Sequence, residues 1–231
     1  MVETLPATPG PRNITTRFVS NSAAFSSPLT GATQMSARNG GVWEITCQMP
    51  PMNRKQSGAW LSLMTKLNGP GAAVYVGPRA SNVIDHYVAG SNYRNDDSAT
   101  LDLDFIGTDY KLRWIDVPTP LVKGASQTGS SLITDGWSEG DGLNAGDYIC
   151  FENGTFRELH IVTADGFADS NGDLTLSIAP NIRTSPSDNV AVTIISPTGE
   201  FIAADQTQAS ELYNGAQGYR DITVKFREFL R

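Results

Sequence analysis

Four runs between residues 143 and 195 decide how this chain folds: LNAGDYICF (143–151), TFRELHIV (155–162), DLTLSI (173–178) and NVAVTII (189–195). Each predicts a short strand. In the third, Leu174, Leu176 and Ile178 fall on one side, with Thr175 and Ser177 on the other. That period of two is what a half-buried strand requires. Asn153-Gly154 and Asn171-Gly172 lie between runs and predict two-residue hairpins, whose central positions need positive φ. The stretch from Gly129 to Ile194 thus reads as a scaffold that presents surface, which moves the question from a reaction to a partner.

Working outward, Trp43, Ile45, Cys47 and Met49 alternate with Val42, Glu44, Thr46 and Gln48, predicting a strand over Gly41–Met49. One helix follows. Pro50-Pro51 end the strand, Asn53 supplies a cap, and Ala59, Trp60, Leu63, Met64 and Leu67 form an apolar stripe. Asn68-Gly-Pro-Gly stops it. Further strands are read around Arg17–Val19, over Ala72–Val76, and around Leu101–Phe105, Leu112–Trp114, Phe201–Ala204 and Ile222–Phe226. Residues 1–14 read as an extended arm, residues 79–99 as a long loop and residues 204–219 as a polar excursion.

The chain is therefore expected to be mainly β. A length of 231 residues is enough for one large β domain or two small ones. The lone helix and the separated terminal strands favour a split arrangement: residues 1–76 and 195–231 form one sheet domain, and residues 77–194 an inserted β domain. Chain ends meeting in one domain is the usual result of inserting a module into a surface loop.

Composition excludes several classes. Formal net charge is −7, and the 17 Lys and Arg are scattered, so no basic stripe offers itself to phosphates. A wall past which DNA slides without sticking is compatible with this charge. No apolar run reaches the length of a membrane span, and the N-terminus MVETLP lacks a basic region followed by an apolar one. Asn13–Thr15 and Asn153–Thr155 fit the glycosylation pattern, but read more simply as turn residues. Cys47 and Cys150 sit among apolar neighbours and are expected to be buried thiols.

Candidate chemistry is thin. Asp169, Asn171 and Asp173 resemble the start of a calcium loop, but Leu174 stands where the glycine belongs and Pro180 where the glutamate belongs. Asp102, Asp104, Asp135, Asp141, Asp147 and Asp165 are the carboxylates available to act as acid and base. Most stand in turns, where Asp binds its own backbone, and no Asp or Glu reads as lying in a hydrophobic pocket. His86 and His160 are isolated, without nucleophile or metal spacing, and His160 is expected at a surface or interface. Gly69–Gly71 and Gly136–Gly140 lack the lysine of a phosphate loop. Trp114 and Trp137 are the rings able to stack on a sugar, although packing is the commoner use of tryptophan. No catalytic, cofactor-binding or metal residues are assigned.

The order of segments carries a resemblance. GGVWEITCQMPPM (40–52) leads into the helix and NGPGAAVYVGP (68–78). GSSLITDGWSEGDGLNAGDYICF (129–151), LHIVTADGFADSNGDLTLSIAPNIRTSPSDNVAVTI (159–194) and PTGEF (197–201) follow. From about Val42 to Arg231 the chain resembles the distal tail proteins, minor tail proteins of long-tailed bacteriophages. The resemblance implies a tail-tube-like β belt domain with one helix, and an inserted β domain that is OB-like or galectin-like. It implies a ring, a homohexamer, that joins the tail tube to the hub or baseplate and lines the DNA channel. The protein would be made in the host cytoplasm and located at the tail tip of the virion. It would be a structural protein without enzymatic activity, cofactor, membrane or specific nucleic-acid partner. The alternative function is a carbohydrate-binding module for host attachment. The N-terminal arm and residues 204–219 are the expected inter-subunit contacts, since paired sheet edges cease to be a liability.

Overall fold

A computed structural model describes residues 2–6, 9–36, 40–68, 72–78, 118–154, 156–205 and 222–230. Its contacts divide the chain into two compact units: Met1–Pro78 with Gly199–Arg231, and Arg79–Thr198. The chain is mainly β. The strands expected around Leu101–Phe105 and Leu112–Trp114, and the loop over 79–99, lie outside the described residues.

The first unit begins with β1 (Val2–Glu3), β2 (Asn13–Val19), β3 (Ala23–Ser26), β4 (Thr33–Ser36) and β5 (Val42–Met49). Helix α1 (Arg54–Leu67) and β6 (Ala73–Val76) follow. In the second unit come β7 (Leu121–Val122), β8 (Gly129–Asp135), β9 (Gly142–Leu143) and β10 (Tyr148–Glu152). It continues with β11 (Arg157–Ala164), β12 (Gly166–Phe167), β13 (Leu174–Ile182) and β14 (Val192–Thr193). The chain then returns to the first unit with β15 (Gly199–Ala203) and β16 (Ile222–Glu228).

The first unit is a sheet in the order β1-β6-β15-β16-β5-β2. Alternation on β5 works as the sequence predicts: Trp43, Ile45, Cys47 and Met49 are buried, while Gln48 is exposed. Val224 and Phe226 of β16 lie opposite Cys47 and Ile45, and Phe201 of β15 opposite Glu228. Helix α1 starts on a reciprocal cap. Asn53 Oδ1 accepts the Gln56 N–H at 2.9 Å, and Gln56 Oε1 accepts the Asn53 N–H at 3.0 Å. Trp60, Leu63, Met64 and Leu67 are buried as expected, but Ala59 is exposed and Ser57 is buried instead. A one-residue spacing around Trp60 rotates by about 100° on a helix, which carries Ala59 out of the stripe. The N-terminal arm also makes contacts within its own chain. Val2 and Glu3 pair in parallel with Ala73 and Val74 of their own sheet, and Lys66 reaches Glu3 at 3.0 Å.

The second unit is a sheet in the order β14-β10-β11-β13-β8-β7, with β12 paired to β9. Leu132, Ile149, Phe151, Val162, Leu174, Leu176 and Ile178 are the centre of its core. Two features differ from the expectation. LNAGDYICF is not one strand: it breaks between β9 and β10, where Asp147 Oδ2 accepts the Asn144 N–H at 2.8 Å and Gly146 takes φ +102. Short polar side chains offer the backbone this alternative to a ladder. The strand β8 was not expected, because a single apolar residue, Leu132, and a polar one, Thr134, face inward from it. Thr134 is satisfied there, donating to Leu174 O at 3.0 Å and accepting the Trp137 indole N–H at 2.8 Å.

The turns also use their residues differently. Asn153 N–H donates to Phe156 O at 3.1 Å, so Asn153 is a corner rather than a central residue, and Gly154 carries the positive φ of 86°. At Asn171-Gly172 the loop spans three residues, closed by Asp169 N–H to Asp173 O at 2.9 Å. Gly172 there has φ +77, and a Cβ on it would come 2.5 Å from Trp137 O. Gly172→Ala is therefore expected to cost about 2 kcal/mol or more, read as a lower urea midpoint for the second unit with an unchanged slope.

Candidate functional site

Among the described residues, the carboxylates read from the sequence fall at separate places. Asp102 and Asp104 lie outside the described residues. Asp141 is buried, at 2% exposure, and its backbone closes turns with Ser138 and Ala168. Asp147 and Asp165 are brought to one corner. There Asp165 Oδ1 accepts the Ala145 N–H at 2.7 Å, beside the Asp147 contact with Asn144. Burial pushes the Asp147 carboxyl up to about 6, with nearby Asp165 adding to the rise. Asp169 is bound to its own turn. The N–H groups of Asp173 and Asn171 hold its carboxyl below the usual range, and Asp173 pairs with Lys123. Among the described residues no three His, Cys, Asp or Glu side chains are grouped to hold a metal ion.

Other candidates move indoors. Trp137 is 6% exposed with its indole N–H spent on Thr134, so its ring is not offered to a sugar; Trp114 and His86 lie outside the described residues. Asn153 is buried, donating to Glu158 at 2.6 Å. Gly136 and Gly140 are turn residues with φ +83 and +82, and Gly69–Gly71 lie outside the described residues. Cys47 and Cys150 are free and buried. Burial pushes the Cys47 thiol up to about 12 and raises Cys150 as well, which removes the reactive thiolate.

His160 is a correction: it is fully buried, as is Glu158. The register places Ile149 and Phe151 of β10 opposite His160 and Glu158, so both polar residues stand on the core face. The expectation that no carboxylate lies in a hydrophobic pocket fails with them. Periodicity carries a hint, since Glu158, His160 and Val162 share the parity that buries Val162. Their charge and polarity argued for the opposite face.

What the surface offers is an edge and a hairpin. On one side β2 pairs with β5, and among the described strands it has no other neighbour. Phe18 of β2 is 39% exposed, edge-on to Trp43 at 5.1 Å. Its ring lies over Gly41, where a Cβ would fall 2.2 Å from it. Strands β3 and β4 pair with each other, Ala23↔Ser36 through Ser26↔Thr33, and with no other described strand. The loop joining them closes through Gly31 N–H to Ser27 O at 2.9 Å and leaves Leu29 94% exposed. A two-stranded hairpin alone is marginal in water. The signal that would have found it is compositional: from Ser20 to Ala37 no residue is charged, in a chain that is 18% charged. Exposed edges normally carry charge to keep other strands away. Of the excursion over 204–219, all but Ala204 and Asp205 lies outside the described residues.

No helix among the described residues is long and apolar enough to cross a membrane. Comparison with protein-family models and with curated proteins finds no match.

The corner carboxylate makes a pH prediction. Asp147 holds its proton up to about 6 in the fold against an ordinary 3.8. Across that interval the folded unit binds more protons than the unfolded chain, so stability falls as pH rises and the loss persists at neutral pH. Asp147→Asn keeps an oxygen for the Asn144 N–H. It is expected to stabilise the second unit by about 1 kcal/mol at neutral pH, allowing for solvent screening. It should also flatten the decline between about pH 4 and pH 6, measured by denaturation across that range.

Proposed function

We propose that this chain is a structural assembly protein: a subunit of a homohexameric ring at the distal end of a phage tail. The ring joins the tail tube to the hub or baseplate and surrounds the channel through which DNA leaves. The observation that carries the reading is the uncharged β3–β4 hairpin with Leu29 at its tip, together with the edge of β2, which carries Phe18. Both are surfaces that an isolated soluble subunit has reason to blunt and that a neighbouring copy would cover. A net charge of −7 fits a wall that DNA passes without adhering. The first unit, a sheet with helix α1, takes the belt role, and the second unit takes the role of the inserted β domain, OB-like or galectin-like.

An enzyme is not proposed: of the carboxylates read from the sequence, Asp141 is buried, and Asp147 and Asp165 bind backbone N–H groups. The carbohydrate-binding alternative loses support with the burial of Trp137. The ring reading is tested by native mass spectrometry and electron microscopy of the purified chain, alone and with tail-tube and hub proteins. Closed rings are expected. Leu29→Asp and Phe18→Asp should each weaken assembly by about tenfold or more while leaving the circular dichroism spectrum unchanged. A strict monomer in every mixture would overturn the assignment.

A further inference from the structure

The second unit buries a potential ion pair in its sheet. Glu158 and His160 are both 0% exposed. Glu158 is surrounded by donors. Its Oε1 accepts from Asn153 Nδ2 at 2.6 Å and from the Thr184 N–H at 3.0 Å, and its Oε2 accepts from the Arg183 N–H at 3.1 Å. Burial by itself would push this carboxyl up, but the His160 side chain and the Arg183 and Thr184 N–H groups hold it below the usual range. Glu158 is therefore an acceptor with no proton of its own to give.

The imidazole faces acceptors on both sides. Its Nδ1 lies 2.8 Å from the Pro180 carbonyl oxygen, which only accepts, so Nδ1 bears a hydrogen. Its Nε2 lies 3.3 Å from Glu158 Oε2, within ion-pair reach though not aligned as a directed hydrogen bond. A neutral ring protonated at Nδ1 would set the Nε2 lone pair near a carboxylate oxygen inside an apolar core, whereas a doubly protonated ring sets a positive charge there instead. The Phe151 ring stacks on the imidazole at 5.0 Å and 8°, a face that favours a cation.

We propose that His160 is folded into the second unit as an imidazolium. With Glu158 it fastens β11 to the Pro180–Thr184 segment, and release of its proton loosens that fastening. Among the described residues, the other ionisable groups on β10 and β11 face elsewhere. On β10, Tyr148, Cys150 and Glu152 alternate away from the ring. On β11, Arg157 is bound to Glu152 and Thr198. Asp147, beyond Ile149, is influenced by Asp165. Arg183 meets the pair through its backbone N–H, and β13 offers Ile178, Ala179 and Pro180, none of which titrates.

The linkage has opposite signs at the two ends. Loss of the imidazolium proton as pH rises would remove the His160 side of the fastening. Glu158, held low, adds stability that is lost as pH falls through its own. The fastening is intact between the two.

The chain has two histidines, so His86→Gln leaves His160 as the lone imidazole signal. Spectra of the full-length, nitrogen-15-labelled variant are recorded from about pH 5 to about pH 9. Both ring nitrogens are expected in the imidazolium range at neutral pH. Their conversion at higher pH should coincide with a fall of about 4 °C or more in the melting of the second unit, a fall missing from His160→Gln. A singly protonated neutral ring at every pH at which the fold persists would overturn the proposal. Should His160→Gln fail to fold, the spectrum of the His86→Gln variant decides by itself.

Discussion

In the first unit the strand nearest the C-terminus lies between β15 and β5. Its pairing with β5, from Ile222↔Met49 to Arg227↔Glu44, is the contact on which the remaining packing rests. Backbone groups removed from water must be paired, and this ladder satisfies those of β5 and β16 together. It also sets the side-chain register, so that Val224 and Phe226 stand beside Cys47 and Ile45 on the buried face. A slip of one residue would turn every one of these side chains to the other face. At one end of the ladder Glu228, buried at 5% exposure, accepts the Trp43 N–H at 3.0 Å. A side chain there completes the pairing that the backbone leaves open.

The second unit solves the same problem with more polar material inside. Thr134, Asn153, Glu158 and His160 are buried, and the contacts of Thr134 with Trp137 and of Glu158 with three N–H groups tie loops to strands. Such networks hold when their donors and acceptors are met, because the low dielectric that strengthens a made bond also raises the cost of an unmade one. The apolar members, from Leu132 to Ile178, supply the driving force. The polar ones select which loop lies against which strand.

These interiors bear on function through what they use up. Several residues from which an active site or sugar site would be built, Asp141, Asp147, Asp165, Trp137, Cys47 and Cys150, are committed to turns and cores. Toward solvent the first unit keeps the edge of β2 and an uncharged hairpin, the features on which the proposed assembly rests.

Much of this was legible locally. The alternation of Trp43, Ile45, Cys47 and Met49, the cap at Asn53, the stripe from Trp60 to Leu67 and the strand at Leu174–Ile178 all follow from periods of two and 3.6, which neighbours in the chain impose on themselves. The break inside LNAGDYICF, the strand at Gly129–Asp135 and the hairpin at Ala23–Ser36 were harder. The strand at Gly129–Asp135 is held by β13, far along the chain, and the local patterns of all three are weak or polar. Periodicity also determined that Glu158 and His160 share a face, while their polarity misled as to which face. Only the fold decided that. The sheet places them opposite Phe151 and Ile149 and supplies Asn153, Pro180, Arg183 and Thr184 as partners, and a buried charge is tolerated where distant backbone groups arrive to satisfy it.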